Sequence, residues 1–455
     1  MTHFLGLTSL VKILGSSSAP SLTDMSIING LLGCLNHMLP AARLNSAWCI
    51  RQIVLSLPTM LTNILDQLIK RLKDFRSNKN AVEGHCAAIA SILSVSNQTS
   101  PDGIVSGRCT KILHLTTELL KPVNEHYLGL SRVMGSWLLF SALLSVKALS
   151  NAERKEIKDQ IVVSIKSCFP QGDVKGAFLK EISLTADKLS QMIEVRSGAL
   201  RCIQLLAKDE EKCPIIDHVL RSALEYMGHV NKLLAKYPQL KPALKFYKMR
   251  LYSTLTETQS IIWEYGLPDL FKHVVADLIL TDVQQVSHSS LLSTLVSENQ
   301  ADILIDSTDI EFNFIGSLQH SASEIVTSST EMPKPYPLQI QLIDSAVKLF
   351  GYAFPLAAMK HRAQITQHFI DCLRQAKKER ALCIQINILA AYAMALKSLG
   401  QARGTVGDEA ILKCSAELLL SFVSHQSHTV RCVASSGLGR LAQESDLFLL
   451  MHSLM

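Results

Sequence analysis

The sequence predicts an all-α fold, an α-solenoid of stacked helical hairpins, and three observations predict it. Apolar residues recur at three-and-four spacing along almost all of the 455 residues. No stretch sustains the period-two alternation of strands bounded by hairpin turns. The phrase Val195-Arg-Ser-Gly-Ala-Leu-Arg-Cys-Ile-Gln-Leu-Leu-Ala207 can be laid on Val430-Arg-Cys-Val-Ala-Ser-Ser-Gly-Leu-Gly-Arg-Leu-Ala442, a repeat at long range. Composition agrees. Apolar residues make up 48% and charged residues 18%, which supplies a large buried core. Aromatics are only 6%, so Leu, Ile, Val and Ala must fill that core, as suits helices packed closely on helices.

The elements follow in order. Apolar stripes predict helices over Ile27 to Leu39 and Ala41 to Leu55. Leu57, Met60, Leu61, Ile64, Leu65, Leu68, Ile69 and Leu72 form one stripe on a helix opened by Pro58. Further stripes cover Ala81 to Val95, Cys109 to Leu120 and Leu128 to Leu149. Ser150-Asn-Ala-Glu153 is a capping box that opens a helix running to about Cys168. Helices are expected at 175–192, 193–207, 213–235 and 241–263, and then at 338–353, 358–377, 380–399, 408–424 and 428–450. That makes about fifteen helices of roughly four turns each.

One segment breaks the pattern. Residues 281–336 carry eight acidic residues and one basic residue, are rich in Ser and Thr, and close on Pro333-Lys-Pro-Tyr-Pro337. They read as an acidic flexible insertion, with a short helix near Leu291, between solenoid block 1 (1–280) and solenoid block 2 (337–455). A variable surface loop is the plainer reading and a phosphorylatable or partner-binding strip the sharper one.

Charge and motifs narrow the function classes. The net charge of +6 is mild for this length, so no dedicated nucleic-acid surface is expected. The basic stretches Lys70, Arg71, Lys73, Arg76, Lys79 and Lys241, Lys245, Lys248, Arg250 read as solvated helix surface. Eleven cysteines without a Cys-x-x-Cys pair point to a reducing, cytoplasmic setting and to Cys as a small core hydrophobe. The start, Met1 to Leu14, lacks a basic n-region and reads as part of a first helix. Trp137 to Val146 is about half the ~20 residues that span a bilayer, so no transmembrane segment is expected.

No His-Glu-x-x-His, phosphate-binding Gly-rich loop or Gly-x-Ser-x-Gly elbow occurs. His425 and His428 lie in a polar loop with no Cys or carboxylate nearby in sequence. Gly437-Leu-Gly439 falls inside a helix and reads as packing. Trp48, Trp137 and Trp263 read as core anchors. The expectation is therefore no enzyme: no catalytic, cofactor-binding or metal-binding residue, no cofactor and no small-molecule ligand.

The repeated phrase resembles the second helix of a HEAT repeat, with Arg43-Leu-Asn-Ser-Ala-Trp-Cys-Ile-Arg-Gln-Ile53 as a third, weaker copy. Small residues at alternate turns let neighbouring helices approach. The Arg, expected in the first turn, can bond loop carbonyls or a carboxylate of the adjacent repeat. One hairpin cannot bury its own apolar face, so repeats must stack in the HEAT/armadillo manner, an armadillo-like superhelix.

Ordered phrases point further. They are Ala41-Ala-Arg-Leu-Asn-Ser-Ala-Trp-Cys49, Ala81-Val-Glu-Gly84, Gly103-Ile104, Gly135-Ser-Trp-Leu-Leu139, Phe169-Pro170 and Arg196-Ser-Gly-Ala-Leu200. Ile343-Asp-Ser-Ala-Val-Lys-Leu-Phe350, Lys360-His-Arg362, Gln385-Ile-Asn-Ile388, Val430-Arg-Cys432 and Leu438-Gly-Arg-Leu-Ala-Gln443 follow. Together they resemble the HEAT repeat-containing protein 5 family, and only the acidic insertion and Ser136, which replaces an expected Gly before Trp137, depart from it.

The resemblance implies a non-enzymatic scaffold of vesicle-mediated transport. Its partners would be the clathrin adaptor protein 1 complex, aftiphilin and gamma-synergin. It would act in endosome to trans-Golgi retrograde traffic, peripheral on trans-Golgi network, endosomes and clathrin-coated vesicles through its partners. Family members are several times longer, so the resemblance also implies that this chain is an N-terminal-half portion. The alternative, from the repeats alone, is a HEAT-repeat adaptor of another pathway, such as a nuclear transport receptor or phosphatase scaffold.

Overall fold

Turn chemistry cuts the chain into helices. A computed structural model describes residues 25–99, 106–207, 214–258, 267–279, 338–376 and 380–444, apart from positions 124, 148, 171, 403, 405 and 407. Among these residues there are eighteen α-helices, three short 3-10 turns and no strand, so the protein is all-α. The acidic insertion, the helix near Leu291, Trp263 and the first residues of the chain lie outside the described residues, as do both expected block boundaries.

The first unit runs to Tyr247 and the second starts at Lys248. The first begins with α1 (Met25–Cys34), α2 (Pro40–Ser56), α3 (Leu61–Asp74) and α4 (Lys79–Thr99). Then come α5 (Ser106–Leu119), α6 (His126–Ser145), α7 (Asn151–Cys168) and α8 (Val174–Glu181). It continues with α9 (Ala186–Ala207), α10 (Pro214–Met227) and α11 (Val230–Lys236). The division falls inside α12 (Lys241–Glu257). The second unit adds α13 (Leu267–Ile279), α14 (Leu338–Ala353), α15 (Met359–Gln375), α16 (Arg380–Gln401), α17 (Glu409–Val423) and α18 (His428–Glu444).

Caps explain many of the ends. At α7 the capping box forms as the sequence predicts: the Glu153 N–H donates to Ser150 Oγ at 3.3 Å, and the Ser150 N–H to Glu153 Oε2 at 3.2 Å. Asp173 accepts from the Gly176 N–H at 2.9 Å to start α8, and Asp408 from the Ile411 N–H at 3.0 Å to start α17.

Three boundaries differ from expectation. The expected break at 192/193 is absent, because α9 runs unbroken from Ala186 to Ala207. The break lies earlier, at residues 182–185 between α8 and α9. The expected helix 213–235 is two, parted at Gly228 and His229. Sequence reading also omitted α13, although Pro268 and Asp269 mark its start and Phe271, Val274, Val275 and Leu278 its buried face. Expected with the first block, α13 packs in the second unit on α14 and α16.

Alternate helices pack on one another within each unit. In the first, α2, α4, α6 and α9 form one row, and α3, α5, α7 and α10 form a second row laid over it. In the second, α14, α16 and α18 form a row, covered by α15 and α17. The covering helices are amphipathic: α3 buries Leu61, Ile64, Leu65, Leu68 and Leu72, and α7 buries Ile157, Ile161 and Ile165.

The inner row is held at close range by residues without a side chain. A Cβ on Gly135 of α6 would lie 2.7 Å from Cys86 Sγ of α4. One on Gly198 of α9 would lie 2.6 Å from Trp137 Cβ of α6. In the second unit a Cβ on Gly351 of α14 would meet Met394 Cβ of α16 at 2.6 Å. Ser136, beside Gly135, is buried and satisfied, donating to Arg132 O at 2.7 Å.

Among the described residues, two helical stretches, Tyr127–Ser145 and Ala381–Gln401, are long and apolar enough to cross a bilayer by length and composition. The first corrects the half-span read from Trp137 to Val146. Both are core helices here, 72% buried against their neighbours, and an inner-row position calls for the same composition.

The seams carry a direct test. Gly198→Ala should lower the unfolding free energy by about 1–3 kcal/mol, since the Trp137 side chain it would strike is fully enclosed. Gly30→Ala, with open space around it on α1, should raise stability by about 0.5–1 kcal/mol. Urea unfolding of the two variants checks both signs.

Candidate functional site

The repeated arginine is where sequence and geometry meet. Arg43 enters α2 one turn from its start and stays buried. Its Nη1 donates to His37 O at 2.7 Å, Met38 O at 3.1 Å and Asn80 Oδ1 at 3.2 Å, and its Nη2 pairs with Glu83 of α4. Glu83 also accepts from Ser131 Oγ of α6 at 2.5 Å, so one carboxylate ties three inner-row helices. Arg431, at the start of α18, donates to His425 O at 2.8 Å and Gln426 O at 2.9 Å. Both make the loop-carbonyl bonds expected of the phrase.

Arg196 does the same work from a different place. The continuity of α9 puts it in mid-helix, not in a first turn. Its Nε donates to Cys168 O at 3.1 Å, and its two Nη atoms grip Glu181 at 3.0 and 2.5 Å. The guanidinium lies 4.4 Å from the Tyr226 ring centre and 5.9 Å from that of Phe169. Burial pulls its pKa down, but the Glu181 hydrogen bonds with the nearby phenols and carboxylate carry it above the ordinary value. Burial pushes the Tyr226 phenol up to about 12. A charged pair sealed among aromatic rings locks α7, α8, α9 and α10 together.

The buried histidine and thiols of the core are neutral. His85 of α4 is fully buried, bonds Ala81 O through Nδ1 at 2.7 Å, and has no partner for Nε2. Burial first, then the Arg71 charge against the Ala81 bond, lowers its pKa from 6.5 to about 4. Burial pushes the Cys109 and Cys168 thiols up to about 12 and raises Cys86 as well, so these cysteines pack as thiols.

Among the described residues no group of three or more His, Cys, Asp or Glu is gathered as a metal site. His425 accepts from the Ser427 N–H at 3.1 Å and packs on Phe422, whereas His428 is the first residue of α18 and lies 3.6 Å from Cys432 Sγ, which corrects the expectation of a loop pair with no cysteine nearby. Gly437 and Gly439 both lie within α18, but the packing reading holds for Gly437 alone, where a Cβ would lie 3.0 Å from Leu419; Gly439 is exposed with open space around it. Trp137 is buried as expected, and Trp48 stacks under Arg51 at 4.6 Å.

The second basic stretch is solvated only in part: Lys241 is exposed as expected, but Lys248 and Arg250 are not surface charges. Lys248 Nζ donates to Asp277 at 2.9 and 3.0 Å, Tyr252 OH donates to the same carboxylate at 2.7 Å, and Arg250 is buried.

A groove in the second unit was not foreseen, because it forms against α13. Its volume is about 430 Å³. Phe271, Val275, Ala276 and Ile279 of α13 face Ala357 and Ile365 across it. Lys272, His361, Gln364 and His368 edge it, and no carboxylate lines it. The arrangement suits an apolar ligand or segment.

No protein-family model and no solved structure matches this chain.

Two measurements follow. Arg196→Met should cost about 3–5 kcal/mol by stranding Glu181, and adding Glu181→Leu should recover much of that loss in a thermodynamic cycle. His85 stays neutral in the fold, so the unfolded chain takes up its proton first as pH falls. The stability this contributes is complete above pH 6.5 and is lost as pH falls toward about 4, to a total on the order of 3 kcal/mol. Unfolding of His85→Met between pH 7 and 4 should show a correspondingly shallower acid slope than the parent chain.

Proposed function

We propose that this protein is an α-solenoid of HEAT-type hairpins acting as a non-enzymatic scaffold of vesicle traffic, of the HEAT repeat-containing protein 5 kind. One observation carries the architectural half. Polar pairs at the start of the chain keep a sequence separation of 42: Asn29 of α1 with Arg71 of α3, then Asp66 of α3 and Arg76 just after it with Arg108 and Glu118 of α5. A fixed offset is what a repeated hairpin in fixed register generates. The rows of alternate helices, and the arginines that bind the preceding turn, support the same reading.

The trafficking half rests on the ordered phrases that resemble that family. On this reading the partners are the clathrin adaptor protein 1 complex, aftiphilin and gamma-synergin, and the chain sits in the cytoplasm, peripheral on trans-Golgi network and endosomal membranes through them. Catalysis has no place in it: the buried arginines, carboxylates and thiols are consumed in holding hairpins together.

Affinity purification of the tagged chain from cell lysate tests the proposal. Adaptor subunits with aftiphilin or gamma-synergin should be enriched over a tag-only control. Recovery of Ran or of phosphatase subunits in their place would assign the chain to another pathway's HEAT adaptors.

A further inference from the structure

Three turns adjoin on one edge of the first unit, those joining α1 to α2, α3 to α4 and α5 to α6. Arg43 Nη1 bonds both the Met38 carbonyl and Asn80 Oδ1, which sets the first turn beside the start of α4. Lys79 Nζ lies 5.4 Å from the Tyr127 ring centre, which sets the second turn beside the start of α6. Arg76 reaches Glu118 at 3.4 Å, so the same turn also meets the end of α5.

This edge exposes large apolar side chains. Met38 is 75% exposed and Tyr127 66%, and Leu39 and Phe75 stand exposed between them. Among the described residues the exposed aromatic side chains, Phe75 and Tyr127, both lie here. Exposed apolar residues scattered singly are ordinary, but four gathered on adjoining turns mark a contact surface. The charge around them is positive. Lys70, Lys73, Arg76, Lys79 and Lys121 are exposed, against Asp74, Glu118 and Glu125. Arg76 takes up Glu118, and among the described residues none of the four lysines pairs with a carboxylate.

We propose that this edge lies against an anionic lipid bilayer, its apolar tips in the headgroup region and its lysines on acidic headgroups. Aromatic side chains favour that interfacial depth. Lysine stems are long enough to keep the charge among the headgroups while neighbouring apolar side chains sink below it. Each lysine near an anionic surface contributes about fivefold to affinity. Nucleic acid would use the charge and stack on the two rings, but it gives the aliphatic tips Met38 and Leu39 no role. The contact is with lipid itself and needs no adaptor, so it stands or falls apart from the trafficking reading.

Flotation of the purified full chain decides it, with vesicles of phosphatidylcholine alone or of phosphatidylcholine mixed with phosphatidylserine. The chain should float with the mixed vesicles at low salt, stay behind with phosphatidylcholine alone, and be released at high salt. Lys73→Glu, Lys79→Glu and Lys121→Glu together should weaken binding by at least about tenfold. Met38→Ser with Leu39→Ser should weaken it several-fold at an unchanged melting temperature, because both side chains are mostly exposed and carry no packing. Val163→Ser with Leu179→Ser, at exposed apolar positions on α7 and α8, should bind as the parent does. No flotation, equal flotation with both vesicles, binding untouched by the changes at the edge, or capture of RNA or acidic polypeptide without vesicles, would overturn the proposal.

Discussion

Helices that are apolar on every side govern this structure. From Gly135 to Leu143 in α6, from Arg196 to Gln204 in α9 and from Ile386 to Ala393 in α16, consecutive residues are buried without interruption. A helix turns once in about 3.6 residues, so a run of two turns buried throughout must be covered all round. A single partner cannot do that. Each inner helix therefore needs an inner-row neighbour on either side and an amphipathic helix over it. The two rows, the missing side chains at Gly135 and Gly198, and the one-sided stripe of α3 all follow from that demand.

Covering a helix completely creates a second problem, the polar groups carried inside. The chain solves it locally for several hydroxyls: Ser141, Ser197 and Thr254 each donate to the carbonyl one turn earlier. Asn387 reaches Leu278 O at 3.2 Å and so joins α16 to α13. The guanidinium groups of Arg43 and Arg196 need more acceptors than one turn offers, and they take them from the ends of earlier helices and turns. These two buried arginines thus sit where one hairpin hands over to the next.

The helical periodicity and the capping box at Ser150 were legible because each is written within a few residues. What failed was written between segments. Val195 to Ala207 looked like a complete helix since it matched a phrase beginning at Val430, yet nothing at Met192 or Ile193 stops a helix, and α9 runs through. Gly198 looks like a weak point in isolation and is a seam residue only because Trp137 lies against it. The Arg196 pair joins α9 to the end of α8 across a misplaced boundary, so no local pattern could reveal it. The basic residues Lys248 and Arg250 read as surface because their burial depends on packing, and Asp277 lies on the helix the sequence reading omitted. The groove was hidden for the same reason: one of its walls is that helix.

The constant offset of the outer polar pairs also bears on how such a chain tolerates rearrangement. Removing a length equal to one offset from the stretch between α1 and α5 would leave the covering helices on either side of the junction in the same phase. Removing some other length there would rotate the next covering helix out of phase with the one before it. Exon loss, duplication and recombination should therefore be sorted by arithmetic as well as by position, with whole-period changes surviving and fractional ones eliminated.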